Sequence, residues 1–245
     1  MNRLSYKLIN ILVYGCILKY MKAIILDTET TGLPIKRAAK ISDDANWPYI
    51  VQMSWLICDI ETATIVGVRD YIVKLKDGQT IPEESTKIHG ITNEKMRASG
   101  VNITEVLEDF ISDFKSASFI VAHNLNFDKT IIRVELHRNN CPNIFANKRN
   151  IEFCTMEYGT PICKLTRVNR WNGKTESKSP KLIELYYIMF SEKPQNLHNS
   201  LIDVLVCFRC FYKMIMNEDI YTLNPVFRDY FMALTHQDMS GNNYH

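Results

Sequence analysis

The chain has 245 residues, 46% of them hydrophobic, and a formal net charge of only +2. That apolar content excludes a disordered chain, and the length suits one α/β domain with insertions better than two full domains. The small net charge excludes a protein that coats duplex non-specifically, so any nucleic-acid contact is confined to a cleft or a loop.

Residues Leu8 to Leu18 form an apolar run between Lys7 and Lys19. The run falls short of the roughly 20 residues of a membrane span, and no small-x-small cleavage pattern follows it. Residues 1–20 therefore read as an N-terminal extension, with the working domain starting near Met21 and no membrane partner. Ala23 to Leu26 is a buried-strand signal ending in Asp27. Val51 to Ile60 and Ile65 to Leu75, rich in β-branched and aromatic residues, predict a hairpin. Before them lies a polar loop, Pro34 to Tyr49, with Lys36, Arg37 and Lys40.

Thr104 to Phe114 carries apolar residues at helical spacing, with acids on the other face. Phe119 to Ala122 predicts a strand, Phe127 to His137 a helix, and Ile151 to Thr155 a further strand. Ser179-Pro180 predicts the start of a helix over Lys181 to Phe190. A last long helix, capped by Asn199 or Ser200, runs to about Met216 and is apolar nearly all round. Residues 217–245 read as helical stretches ending in a polar tail. The order β-β-β-α-β-α-β-α-α predicts an α/β fold, a mixed sheet with helices packed on it.

Seven cysteines without framework spacing indicate a reducing, intracellular setting rather than a secreted disulfide scaffold. Cys207 and Cys210 form a C-x-x-C pair inside an apolar helical pattern. They read as core packing, since no second pair completes a zinc site.

Three short stretches carry chemistry. Asp27 and Glu29, two apart on a strand, point to the same side. Paired carboxylates at the end of a buried strand repel and are costly to desolvate unless a hard cation joins them. A strand-end turn is the plainer alternative. Asp128 falls in the first turn of a helix just after His123-Asn124. There an acid also suits the helix dipole. Asp203 interrupts an apolar helix surface and needs a cation, a proton or a hydrogen-bond network. His198, five residues earlier, could equally be a cap or a surface residue.

Taken together, Asp27-Thr28-Glu29-Thr30-Thr31-Gly32-Leu33, His123-Asn124 with Phe127-Asp128, and His198 with Asp203 resemble the motifs of the DEDDh, DnaQ-like 3′→5′ exonucleases. That family is related to the proofreading subunit of bacterial DNA polymerase III. Ile88-His89-Gly90-Ile91-Thr92 resembles a further family segment, and Lys181-Leu182 with Glu184-Leu185-Tyr186 resembles its helix before the last motif. The resemblance runs from about Met21 to Met216. It implies a ribonuclease H-like fold with helices on both faces of the sheet. Asp27, Glu29, Asp128 and Asp203 would hold two Mg²⁺ or Mn²⁺ ions, and His198 would act as general base. Thr28, Leu33, His89, Asn124 and Phe127 are the expected substrate contacts. The implied partner is a nucleic-acid 3′ end, single-stranded DNA ahead of RNA, in a polymerase or repair setting.

An exoribonuclease and a non-catalytic binding module on the same fold are the competing readings. Retention of all four acids and the histidine disfavours the latter. Three features depart from the family pattern: the long loop 34–49, Asn199-Ser200 where a small residue such as Ala is usual, and an insertion over Cys163 to Pro180. The insertion holds Lys164, Arg167, Arg170, Lys174, Lys178 and Trp171 against the single acid Glu176, a composition suited to a phosphate backbone or to plain solvation.

Overall fold

Strict alternation along the first strand sets the architecture of the computed structural model, which describes residues 21–36, 38–146 and 149–235. β1 (Lys22–Thr30) sends Ala23 and Ile25 into one apolar core and Ile24 and Leu26 into another. A strand buried on both faces belongs in the middle of its sheet. β1 indeed pairs antiparallel with β2 (Ile50–Asp59) on one side and parallel with β5 (Phe119–Ala122) on the other. The hairpin is completed by β3 (Thr64–Lys74), and the edges are β4 (Val101–Asn102) and β6 (Ile151–Cys154). The strand order is β4-β3-β2-β1-β5-β6, a mixed sheet with helices on both faces.

Helices α1 (Glu83–His89) and α2 (Asn93–Ser99) lie between β3 and β4. Neither stands out in the sequence pattern, because seven residues are too few to show a period. α3 (Ile103–Phe114) and α4 (Leu125–Arg138) cover one face around Trp55 and Phe110. The other face is covered by α7 (Ser200–Met216), with α5 (Thr155–Cys163) and α6 (Leu182–Phe190) packed beside it. Two short helices follow, α8 (Ile220–Leu223) and α9 (Pro225–Thr235). Their Ile220, Phe227 and Phe231 are buried in the same core as α7. Cys207 and Cys210 are buried and free within that core.

Three findings refine the expected elements. β1 extends through Thr30, so Asp27 and Glu29 lie on the strand as their spacing of two requires, and the strand outruns the apolar stretch Ala23 to Leu26 because β2 continues to pair beside it. The helix expected over Lys181 to Phe190 spans Leu182–Phe190, but its cap is Lys181 rather than Ser179, with Glu184 accepting the Lys181 N–H at 2.8 Å. The Pro180 carbonyl is engaged by the His123 ring instead, at 3.1 Å. The insertion folds into a separate hairpin, β7 (Thr166–Val168) with β8 (Thr175–Ser177). The expected extension, residues 1–20, and the end of the tail, residues 236–245, lie outside the described residues, as does Arg37. Among the described residues no helix is long and apolar enough to cross a membrane.

Candidate active site

The period of two places Asp27 and Glu29 on the face of β1 that meets α7. Asp203, in the first turn of α7, meets them there. One carboxylate oxygen from each of Asp27, Glu29 and Asp203 lies within 4.8 Å of the others. The start of α7 is fixed to the sheet by Ser200, fully buried, whose hydroxyl donates to the Asp27 carbonyl at 2.7 Å. Its N–H donates to the Gln52 side chain at 3.3 Å, and Asn199 caps the helix by accepting from the Ile202 N–H at 3.4 Å.

Asp128 reaches the strand from the opposite face, on the first turn of α4. It is 3% exposed, and its Oδ1 accepts both the Thr28 N–H at 3.0 Å and the Thr28 hydroxyl at 2.9 Å. Thr28, expected as a substrate contact, is buried and occupied in holding this fourth carboxylate. Asp128 stands against Thr28 rather than within the group of three, yet close enough for its charge to act on Glu29.

Burial pushes the Asp27 carboxyl up to about 7, opposed by the Ser200 hydroxyl. Burial also raises Glu29, to about 9, helped by the negative charges of Asp27, Asp203 and Asp128. Asp203 and Asp128 are raised well above the usual carboxylate range by burial and then by Asp27. Four such groups favour protons or cations as neighbours. Asp203 adds a specific sign. Its Oδ2 accepts the His198 N–H at 3.3 Å, while its buried Oδ1 has no hydrogen-bond partner. A buried carboxylate oxygen without a partner, on a residue grouped with two other carboxylates, fits a hard divalent cation, for which oxygen donors are preferred.

His198 sits in the loop before α7 with a left-handed backbone, φ 70°, that turns its N–H towards Asp203. The residue is exposed, and its backbone N–H ties it to the acidic group through Asp203. Leu33, Asn124 and Phe127 come together. With Trp47, Met156 and Ser179 they line one open groove with a cavity volume of about 630 Å³. Leu33 is 78% exposed, while Phe127 is half-buried and adjoins Asp128 in the chain. Asn124 is exposed, at φ 72°. His89 does not line this groove. Its buried Nδ1 accepts the Ile91 N–H at 3.1 Å across Gly90, which takes the left-handed φ of 71° that ends α1. Burial lowers the ring's pKa, opposed by a hydrogen bond to the Thr30 backbone.

Sequence reasoning misses Ser200 and Gln52, which seat α7, and Trp47, Met156 and Ser179, which shape the groove. In the sequence the pair Asn199-Ser200 stands out as a helix cap, which Asn199 is, and as a departure from the family, but not as a contact to β1. A small buried residue is required there because the helix start touches β1 directly. The groove is not legible from these residues, since Trp47, Met156 and Ser179 come from two loops and a helix far apart in the chain.

A mixed sheet of this order, with a carboxylate trio gathered against its central strand, defines a ribonuclease H-like nuclease architecture. The RNase_T exonuclease family model matches residues 24–211. The chain belongs to this exonuclease family. The DNA polymerase III subunit epsilon of Buchnera aphidicola subsp. Acyrthosiphon pisum is 26% identical over 203 residues, covering 81% of this chain and 74% of that protein. The PolC-type DNA polymerase III of Thermotoga maritima is 34% identical over 114 residues, 45% of this chain but 7% of that one. Among solved structures, E. coli exonuclease I in complex with a dT13 oligonucleotide superposes with a TM-score of 0.59 at 18% identity. It covers 86% of this chain, which spans only 43% of that protein's length. An apo exonuclease I structure gives a TM-score of 0.58, also at 18% identity, over 87% of this chain and 44% of its own.

Proposed function

We propose that the protein is a divalent-metal-dependent 3′→5′ exonuclease acting on single-stranded or frayed DNA and releasing nucleoside 5′-monophosphates. The observation that carries this reading is the trio Asp27, Glu29 and Asp203, within 4.8 Å and including a buried carboxylate oxygen without a partner. Asp27, Glu29 and Asp203 would hold Mg²⁺ or Mn²⁺, with Asp128 completing a two-ion site on leaving Thr28. Two bound ions supply charge stabilisation to the attacking and leaving oxygens of an in-line displacement.

The protein's own groups do the rest. His198 takes the proton of the attacking water, a task for which imidazole suits near-neutral pH. Leu33 wedges against the terminal base and Phe127 stacks on it. Asn124, in the groove, contacts the terminal nucleotides, while His89 stabilises its own turn through the Ile91 N–H. Similarity to a polymerase III subunit supports a polymerase or repair assembly as the setting.

Oligonucleotides carrying a label at one end or the other test direction and product together. With Mg²⁺ or Mn²⁺, a 5′-labelled DNA strand should give a ladder shortening from its 3′ end, and a 3′-labelled one a single labelled mononucleotide. An RNA strand should be cut more slowly. Internal cuts, or RNA degraded faster than DNA, contradict the reading.

A further inference from the structure

The hairpin β7–β8 stands apart from the main sheet and pairs only with itself. A lone two-stranded hairpin is marginal in water unless something stiffens it. Here the stiffening is polar and local. Arg167 donates to Glu176 at 2.8 Å, directly across the strand pair, and the Asn169 amide donates to the same carboxylate at 3.2 Å. The turn closes through the Asn169 N–H to the Lys174 carbonyl at 2.9 Å and the Gly173 N–H to the Asn169 carbonyl at 2.9 Å. The Asn169 side chain also accepts the Trp171 N–H at 2.9 Å. Gly173 takes the required left-handed φ of 66°.

All this order serves to hold out one residue. Trp171 is 98% exposed at the tip, whereas Trp47 and Trp55 are buried. A tryptophan normally buries its ring, because that is where its large apolar surface is stabilising. The surroundings are cationic. Arg170 and Lys174 belong to the same turn as Trp171, and the only acid of the arm, Glu176, is already neutralised by Arg167. At the arm's base, Lys178 pairs with Glu184, and the next residue, Ser179, lines the groove beside Asn124 and Phe127.

We propose that this hairpin is a binding arm for the DNA single strand upstream of the 3′ end, with Trp171 stacking on a base and Arg170 and Lys174 contacting phosphates. The inference rests on the exonuclease reading of the groove. A single strand fits better than a duplex, because only unpaired bases offer their faces to an aromatic ring. From Lys178 to Lys174, where the turn begins, the strand runs roughly 13 Å at about 3.3 Å per residue, and the turn holds Trp171 beyond that. A trinucleotide held in the groove therefore does not reach Trp171, and a 20-mer does.

Binding is measured in EDTA, where no cleavage occurs, with dT3, dT20 and a 20-base-pair duplex as probes. Trp171→Ala should weaken dT20 binding by roughly 5- to 100-fold, the range for removing one base stack. Trp171→Phe should restore most of that affinity. Binding of dT3 should change less than twofold. Arg170→Ala with Lys174→Ala should flatten the salt dependence of dT20 binding by about 0.7 for each phosphate no longer neutralised. Fluorescence of the native protein should be quenched by dT20, and Trp171→Phe should remove that quenching. Equal dT20 affinity in native and Trp171→Ala protein overturns the arm while leaving the exonuclease reading standing. An equal weakening for duplex and dT20 overturns stacking. Failure of the native protein to bind dT20 overturns both readings.

Discussion

The residue with most at stake is Asp203. A carboxylate buried beside two others is destabilising in the folded chain, and its unpartnered Oδ1 has nothing to offset the lost solvation. Asp203→Asn keeps the shape and removes a charge. It should therefore raise the melting temperature in EDTA, while the stabilisation conferred by Mg²⁺ shrinks. A lower melting temperature in EDTA would mean that Asp203 is held by a compensating partner and is a structural acid. His198 should behave differently. His198→Ala should cut turnover by about 10²–10⁴-fold, the range for a general base, with metal affinity measured by calorimetry nearly unchanged. Loss of metal affinity as severe as in Asp203→Asn would make His198 a ligand instead. At this scale the sequence is most informative. Carboxylates two apart on a strand and one acid on an apolar helix face are anomalies of solvation, visible without coordinates. Thr28 is less legible. Its part in holding Asp128 depends on α4 meeting β1 across a hundred residues of chain.

Among elements, the loop between β1 and β2 shows how a polar segment becomes ordered enough to shape a groove. Arg138, at the end of α4, donates to the carbonyls of Asp44, Trp47 and Pro48 at 3.0, 2.7 and 2.8 Å. It also pairs with buried Glu135 at 2.7 Å and lies over the Tyr49 ring. Asn46 exchanges two hydrogen bonds with the Lys36 backbone. Trp47 is set in the groove wall by this clamp. Arg138→Ala removes the cation paired with buried Glu135, which should cost about 3–5 kcal/mol of stability. It should also raise KM more than it lowers kcat, because the loop binds rather than reacts. A stability change under about 1 kcal/mol, the range of an exposed pair, would show that the clamp is dispensable. Strands and long helices are legible from their periods to within a few residues. The loop's internal order is not, since isolated Arg and Asn residues carry no period. α1, α2 and α5 escape the sequence reading for a related reason. They are short, and α5 contains Gly159 and Pro161, which read as helix breakers.

For the whole molecule, the raised carboxyl groups link stability to pH. Asp27 and Glu29 titrate near their ordinary values in the unfolded chain, and up to about 7 and about 9 in the folded one. The folded state therefore binds more protons across that interval. The stability this confers is complete below about pH 4. It is lost as pH rises through the folded values. Metal-free protein should melt at a lower temperature at about pH 8 than at about pH 6, and Mg²⁺ should narrow that gap by taking the place of the protons. A metal-free melting temperature that rises across this interval would contradict the assigned burial of the acids.

The central claim is that this acidic group is a metal-dependent nuclease site, and cleavage of a 5′-labelled single-stranded DNA by native protein and Asp203→Asn tests it most directly. With Mg²⁺ or Mn²⁺ the native protein should shorten the strand from its 3′ end, EDTA should stop it, and the folded variant should be at least a hundredfold slower. Equal cleavage by both proteins, or cleavage that survives EDTA, would contradict the account.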